Sequence, residues 1–598
     1  MTFNAGTAVR VLPTAGLAAG AWGLAWLATG STASPDWLPY AFLAGLLLAV
    51  VLVSGAAVRP SARELWALAA LVALAGWTAI SISWSAVPHL ARDEALMTLF
   101  YGLAFLVPLL TLRTAGDRLF ASAAVAASSG ILAVGVGIVL RFGSDQSDHF
   151  YSGRLSFPIS YPNAQAAVFL IGFWPAVVLA SQRGRGLLAR TLALAVATAI
   201  AAGWLTAQSK GGVIAIAASA ALVFGLSPLR LRLLPPVLLA AGLTAAGYSP
   251  LTAPFRTHSA SDVRGAGTAI LVLTLVGAVA GLVYALLDRR LGLGPRAVRR
   301  AGFAAAGVFA VAVAAGVAIF FARVYHAGWF ADQWRAFKHT APAETSASSH
   351  LLQLGSNRYD FWRVAIHEFA DHPVAGIGAR GFGPAYLLRR RSPDSPARAH
   401  SFELDALAEL GIVGFVLLVG AIVLPLPPIV RRMRAADPGA TAAFAGAAYW
   451  LVHASADWIW TVPACGLPFW LLLGAGGSGG ERRPLASRAA IPAAVLAVVV
   501  AVVAFVPPWL SARLTDRRDF RWAKRLDPLS VDLYVAQGTI ESLQEAVRKE
   551  PRVVELRFDL ARAYLRARET RRAKAAFEAA HRLDPRNAEI TKALKNTP

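Results

Sequence analysis

The chain is poor in cysteine and in charge. Its single cysteine, Cys465, lies inside an apolar run, which excludes an intrachain disulfide and any Cys-based metal site. Only 15% of its 598 residues are charged, 56% are hydrophobic, and the mean hydropathy is +0.54. That balance excludes a soluble globular protein of this length. No convincing small-residue cleavage site follows the N-terminus MTFNAGTAVR, so the first apolar run is expected to be a retained span.

What the chain does have is apolar runs of about 18 to 22 residues, long enough to cross a bilayer. Fifteen candidate spans are expected at 11–29, 38–57, 64–82, 95–112, 119–140, 163–181, 187–206, 211–226, 233–248, 266–287, 301–321, 405–430, 440–456, 458–476 and 489–508. The formal net charge of +23 would suggest nucleic acid in a soluble protein. Here the basic clusters sit between apolar runs and alternate. Arg59, Arg113, Arg183, Arg230, Arg289, Arg431 and Arg482 mark one set of connections, and the other set is sparse. The positive-inside rule puts the first set in the cytoplasm. The loop 322–404 and the tail are then extracytoplasmic, and no nucleic-acid partner is expected. Two domains follow: a polytopic membrane domain, 1–508, and a helical domain, 509–598.

The segment HPVAGIGARGFG, 372–383, contains a G-x-G-x-x-G through Gly376, Gly378 and Gly381. A dinucleotide-binding turn follows a strand, opens a helix and has an acid about 20 residues on. The preceding YDFWRVAIHEFADHP instead has helical periodicity, with Phe361, Ala365 and Phe369 on one face. The glycines are expected to form a tight loop after a helix ended by Pro373.

Past about residue 512 the apolar runs stop. Leu560, Ala561, Tyr564, Ala576, Phe577, Ala580, Leu583 and Pro585 resemble a tetratricopeptide repeat. RLDP (525–528) and RKEP (548–551) repeat its ending. Pro551 to Pro585 gives the expected period, and the shorter Pro528 to Pro551 spacing implies a truncated middle unit. The competing reading is a basic helical tail lying on anionic lipid. A protein partner would fit the repeat reading.

Four stretches on the expected outer side carry candidate chemistry. GRLSFPISYPNAQAAVFL holds Arg154 and Asn163, and LTAQSKGGVIA holds Lys210. SNRYDFWRVAIHEF holds Arg358 and Arg363, whose planar forks suit phosphate. Asp360 or Glu368 could equally claim those arginines as ordinary ion pairs. RAHSFELDALAEL holds His400, able to act as a base near neutral pH. Arg380 and Glu403 are supporting candidates. Taken singly, each has a bland reading: a helix cap, a snorkelling lysine, a surface ion pair, a structural histidine. Mapped to one side of the membrane, they suit an anionic lipid-linked substrate.

FPISYPNAQA, SKGG, SNRYDFWRVAIHEFADHPVAGIGARGFG and AHSFELDALAELGIVG, spread over about 150 to 475, resemble the O-antigen ligase and polymerase superfamily of membrane glycosyltransferases. The glycines match that family's HP-x-x-G-x-G turn. The resemblance implies an all-α, GT-C-like bundle of about 12–15 spans in the bacterial cytoplasmic membrane. It implies inverting transfer from an undecaprenyl-diphosphate-linked donor to a glycan, lipid or protein acceptor, without metal or other cofactor. It assigns diphosphate binding to Lys210 and Arg358, with Arg154 nearby, and catalysis to His400. The family usually has Arg where this chain has Lys210 and Asn where it has Ser401. Two other readings compete: a lipid-linked oligosaccharide transporter, and a non-catalytic envelope scaffold acting through the tail.

Overall fold

The structure, a computed structural model, describes residues 5–144, 146–257, 259–290, 325–338, 357–480 and 482–597, with scattered positions between 291 and 324. Nearly all of it is helical. An apolar chain in lipid has no water to bond its amides, and a helix satisfies them within the segment. Side chains close the helix ends. Ser61 with Glu64, and Thr114 with Asp117, form capping boxes, and Asp437, Ser209 and Ser401 each accept from a first-turn amide.

Among the described residues, ten helices are long and apolar enough to cross a membrane, or eleven if the bent pair Arg230–Ala246 and Tyr248–Thr257 is one span. The remaining expected spans differ in length. Those at 211–226, 440–456 and 458–476 are the shorter helices Lys210–Leu226, Pro438–Ala454 and Pro463–Gly477, and the one at 301–321 lies largely outside the described residues. Two of these are packed inside the bundle, every residue of Pro463–Gly477 and most of Pro438–Ala454 being buried, whereas Lys210–Leu226 presents Ile214 and Leu222 outward. Pro162–Ala180 is likewise central, 94% buried, whereas Ser487–Asp516 is 22% buried and presents Val495, Leu496 and Val503 outward.

The two ends of the bundle carry separate polar layers. At one end Arg118 bonds Asp437 and the Ser478 carbonyl, Arg432 donates to the carbonyls of Gly476, Gly477 and Gly479, and Arg482 pairs with Glu64. The helix Ala62–Ile80 runs from Glu64 to the other end, where the Ser81 hydroxyl accepts from the Ala379 amide. That second end holds the helices Arg358–Asp371 and Phe382–Arg389, the glycine loop between them, and the tail. Of the expected loop 322–404, residues 339–356 lie outside the described residues.

The glycine loop is sewn to a break in the helix Phe402–Val423. Gly411 leaves helical geometry there with φ of 65°, and Gly376 has φ of 66°. The amides of Ile377 and Gly378 donate to the carbonyls of Ala408 and Glu409, and that of Ile412 to Pro373. A Cβ on Gly376 would sit 2.3 Å from the Glu409 carbonyl carbon, and one on Gly411 would sit 2.2 Å from the Val374 oxygen. Close approach of two backbones explains these glycines.

Beyond residue 503 the chain folds as three helical hairpins and a last helix. The end of Ser487–Asp516 pairs with Phe520–Leu526, then Asp532–Gln537 with Ile540–Lys549, then Val554–Arg566 with Thr570–Leu583, followed by Ala588–Asn596. Each hairpin turn carries one left-handed residue, Arg518, Gly538 or Arg568. The middle hairpin has the shortest pair, six and ten residues, where the Pro528 to Pro551 spacing contracts.

Candidate active site

Arg154 is placed by a two-residue hairpin, Phe150–Tyr151 against Arg154–Leu155, turned by Ser152 and Gly153, both at positive φ. Its Nε donates to the Ala207 carbonyl at 3.1 Å and its Nη2 to Asn163 Oδ1 at 2.6 Å. Asn163, at the start of the Pro162–Leu170 helix, passes the contact on: its Nδ2 donates to Asp457 Oδ2 at 2.6 Å. Asp457 is the hub. Tyr161 donates to its Oδ1 at 2.7 Å, Arg358 to its Oδ2 at 2.9 Å, and the Trp458 amide to Oδ1 at 2.9 Å. Burial opposes the Asp457 charge, but Arg358, His400 and His453 outweigh it and hold the carboxyl below its ordinary value.

Lys210 opens the helix capped by Ser209 and lies close enough to feel the charges of Arg154 and Arg358. Its ammonium has no hydrogen-bonded protein partner among the described residues. The SKGG motif serves this placement. Ser209 Oγ contacts His453 Nε2 at 3.3 Å, and Tyr449 holds His453 Nδ1 at 2.9 Å. The His453 ring lies so close that a Cβ on Gly211 would come within 2.7 Å of it. His453 and Asp457 both stand where the Pro438–Ala454 helix ends, so that end sets Lys210 on one side and Arg358 on the other.

Three cations, Arg154, Lys210 and Arg358, therefore face one carboxylate, Asp457, a surplus of two positive charges. Burial, with Arg358 adding to it, pulls the Arg154 guanidinium down to about 10. Arg358 Nε is buried with no hydrogen-bond partner. Arg154 is thus short of anions, and Arg358, although Asp457 holds its charge, keeps one donor free, so the pair can accept a further anion.

His400 sits against this cluster. Its ring packs on Phe361 at 5.0 Å between centroids and faces Trp458 at 6.4 Å. The backbone is left-handed there, φ 59°, a costly conformation for a histidine that its neighbours enforce. The Ala399 amide is held by Asp405 at 2.7 Å, and Ser401 caps the next helix. His400 Nδ1 lies 3.1 Å from the Arg398 carbonyl. A carbonyl can only accept, so Nδ1 carries the proton and Nε2 keeps its lone pair. Burial lowers the His400 pKa below its ordinary value, Arg358 lowers it too, and Asp457 works the other way. The ring is neutral near pH 7 and able to take a proton at Nε2.

The other expected residues fall elsewhere. Arg363 bonds Asp360 at 2.8 Å and the Arg389 carbonyl at 2.6 Å, the ion pair that its own helix offered, and does not join the Asp457 network. Arg380 lies beside Arg398, Glu94 and Glu409, and burial draws it down to about 10. Glu403 accepts from Ser401 and Ser455 hydroxyls at 2.8 and 2.5 Å and ties the His400 turn to the end of the Pro438–Ala454 helix. Sequence reasoning gave no role to Asp457 or to Tyr161. It also missed Arg398, which bonds Glu409 at 3.1 Å and pairs with Glu94 beneath His400. The available signal was acids set within apolar runs, costly to keep there without a purpose. Among the described residues, no group of three or more His, Cys, Asp or Glu side chains is placed to hold a metal ion.

Residues 260–419 match the family model described as O-antigen ligase. The matched segment includes Arg358, Arg363, Arg380, His400 and Glu403, and lies C-terminal to Arg154, Asn163 and Lys210. Comparison with curated proteins finds no match to the chain. That matched segment sits in an all-helical frame of membrane-spanning length, so the chain is similar to the O-antigen ligase family over this domain.

Proposed function

We propose that this protein transfers a glycan from an undecaprenyl-diphosphate-linked donor to an acceptor hydroxyl on the outer face of the bacterial cytoplasmic membrane. The observation that carries the reading is the surplus of cations at Arg154, Lys210 and Arg358 beside the unprotonated Nε2 of His400. A diphosphate is the leaving group that such a cluster suits, because the charge developing on it meets fixed cations. Lys210 and Arg358 hold the diphosphate. Arg154, steadied by Asn163 and Ala207, adds the third charge. His400 Nε2 accepts the proton of the acceptor hydroxyl as its oxygen attacks the anomeric carbon and the lipid diphosphate departs. In-line attack inverts that carbon. Charge stabilisation is assigned to the protein's own cations, with no metal in the scheme.

The same features support this reading over a transporter. A transporter exposes one site to both faces in turn, whereas the opposite end of this bundle is filled by Arg118, Asp437, Arg432, Arg482 and Glu64. They also support it over a passive scaffold, which has no use for a strained histidine beside a surplus of cations. The acceptor is a glycan, a lipid or a protein.

The test uses the purified full-length protein in lipid nanodiscs with a lipid-diphosphate glycan. Wild type is expected to release lipid diphosphate and form a new glycosidic bond, and His400→Ala to do neither. Failure of wild type to form that bond, or His400→Ala matching it, would sink the reading.

A further inference from the structure

Each tail hairpin ends on an acid followed by proline: Asp527–Pro528, Glu550–Pro551 and Asp584–Pro585. In all three the acid bonds a base outside the tail. Asp527 pairs with Arg92 at 2.5 Å, Glu550 with His89 Nδ1 at 2.5 Å, and Asp584 receives three hydrogen bonds from Arg390, at 2.7, 2.9 and 3.1 Å. The three carboxylates are 6%, 1% and 3% exposed. Other ion pairs of the tail, such as Glu545 with Arg548 and Glu569 with Arg572, are exposed and join neighbours three apart on one helix. Apolar contact backs the docking, with Leu387 packed on Val554, Ala580 and Ile590.

The three bases stand on the two supports of the candidate site. His89 and Arg92 lie on the first turns of Pro88–Thr111, where Glu94 pairs with Arg398, two residues before His400. Arg390 follows the Phe382–Arg389 helix and also donates to the carbonyls of Pro393 and Asp394. The next two amides, of Arg391 and Ser392, donate to Asp360, on the same helix turn as Arg358. One support leads to His400 and the other to Arg358.

We propose that the tail is a strap acting within its own chain, and that Asp527, Glu550 and Asp584 are positioning residues that keep His400 and Arg358 in register. This rests on the reading of those two as active groups. The face of the tail that bears its acid–proline corners is thereby occupied by the chain's own loop, and a separate partner would have to use another face.

The test swaps charges in the full-length protein in nanodiscs: Asp584→Arg, Arg390→Asp, and both together, with Asp584→Asn as a milder variant. Each single change is expected to raise amide hydrogen exchange across 384–401 and to lower transfer about 10- to 100-fold, the scale of a small misplacement at a reacting centre. The double variant, with the pair restored in reverse, is expected to recover both, which also shows that it folds. Unchanged exchange in Asp584→Arg, exchange that rises without any loss of transfer, or a double variant no better than the singles would each overturn the strap. If wild type transfers nothing, the functional reading fails on its own, and the exchange arm still decides whether the tail orders the loop.

Discussion

Arg358 and Asp457, 99 residues apart in the chain, form an ion pair of 2.9 Å in which the aspartate is 1% exposed. Asp457 also takes Tyr161 and Asn163, so one carboxylate ties its own stretch to two others. Removing it leaves a largely buried guanidinium unpaired. Asp457→Ala is expected to cost about 3–5 kcal/mol of stability, the usual scale for breaking a buried pair from one side. Denaturation of the purified variant in detergent checks this. A change within a few tenths of a kcal/mol would show that the pair is not structural.

Donor affinity should follow the surplus of cations over acids. Lys210→Ala and Arg358→Ala are expected to weaken binding of a lipid diphosphate, and Lys210→Arg to be tolerated, since it keeps the charge and adds a planar fork. Arg358→Lys is expected to fail, because a point charge cannot serve Asp457 and a phosphate together through a planar fork. Titration of each variant with a short-chain lipid diphosphate measures the order. Normal binding in Lys210→Ala would remove that residue from the site.

His400→Ala is expected to insert normally, keep donor binding and lose about 10²- to 10⁴-fold in transfer rate, the contribution of a positioned base. His367 and His372, both exposed on or just after the preceding helix, are the controls. Equal losses at all three would indicate a disordered loop instead.

The pH dependence has a definite sign. A base whose pKa is depressed is more than half deprotonated at the ordinary histidine value, so the acid loss of activity, as Nε2 is protonated, should be centred below pH 6.5. The acidic limb of kcat/KM gives the value. A limb centred above pH 6.5 would contradict the depression.

Gly211→Val should act on Lys210 from a distance. Its Cβ would press on a His453 ring that is fully buried and held from both sides, so the ring cannot swing away. Overpacking of this kind costs about 1–3 kcal/mol. Loss of donor affinity is expected to exceed loss of protein level, as read by paired binding and expression measurements. Unimpaired binding would show that the Ser209 cap does not set Lys210.

Sidedness is open to direct measurement, because the single native cysteine is buried. Cysteines placed at Asp394 and at Glu578 should both react with a membrane-impermeant thiol reagent in intact cells. Labelling of either only after lysis would reverse the proposed orientation.

Much of the bundle was legible because lipid-facing helices need long apolar runs. The short internal helices were read as full spans, since a segment covered by neighbours is as apolar as one covered by lipid but need not be as long. Lys210, Arg358 and His400 were nominated from their motifs, and the structure brings the three near one another. Arg363 was not separable from Arg358, because a repeat of Arg along one helix does not say which one meets an acid three residues away. The acid–proline endings were visible as a period. Their destinations were not, since Asp527 meets Arg92 across 435 residues and Glu550 meets His89 across 461.

The arginine layer opposite the site has an energetic consequence. With Arg118 locked to Asp437 and Arg432 stapling three glycine carbonyls, the proposed donor would meet a bonded polar layer at that end. Substrate would then have to slide in from the plane of the membrane. The reaction would draw on no ion gradient, and its drive would come wholly from the diphosphate linkage that the donor brings. The spent carrier would be left on the face where it was used, and its return would fall to another protein.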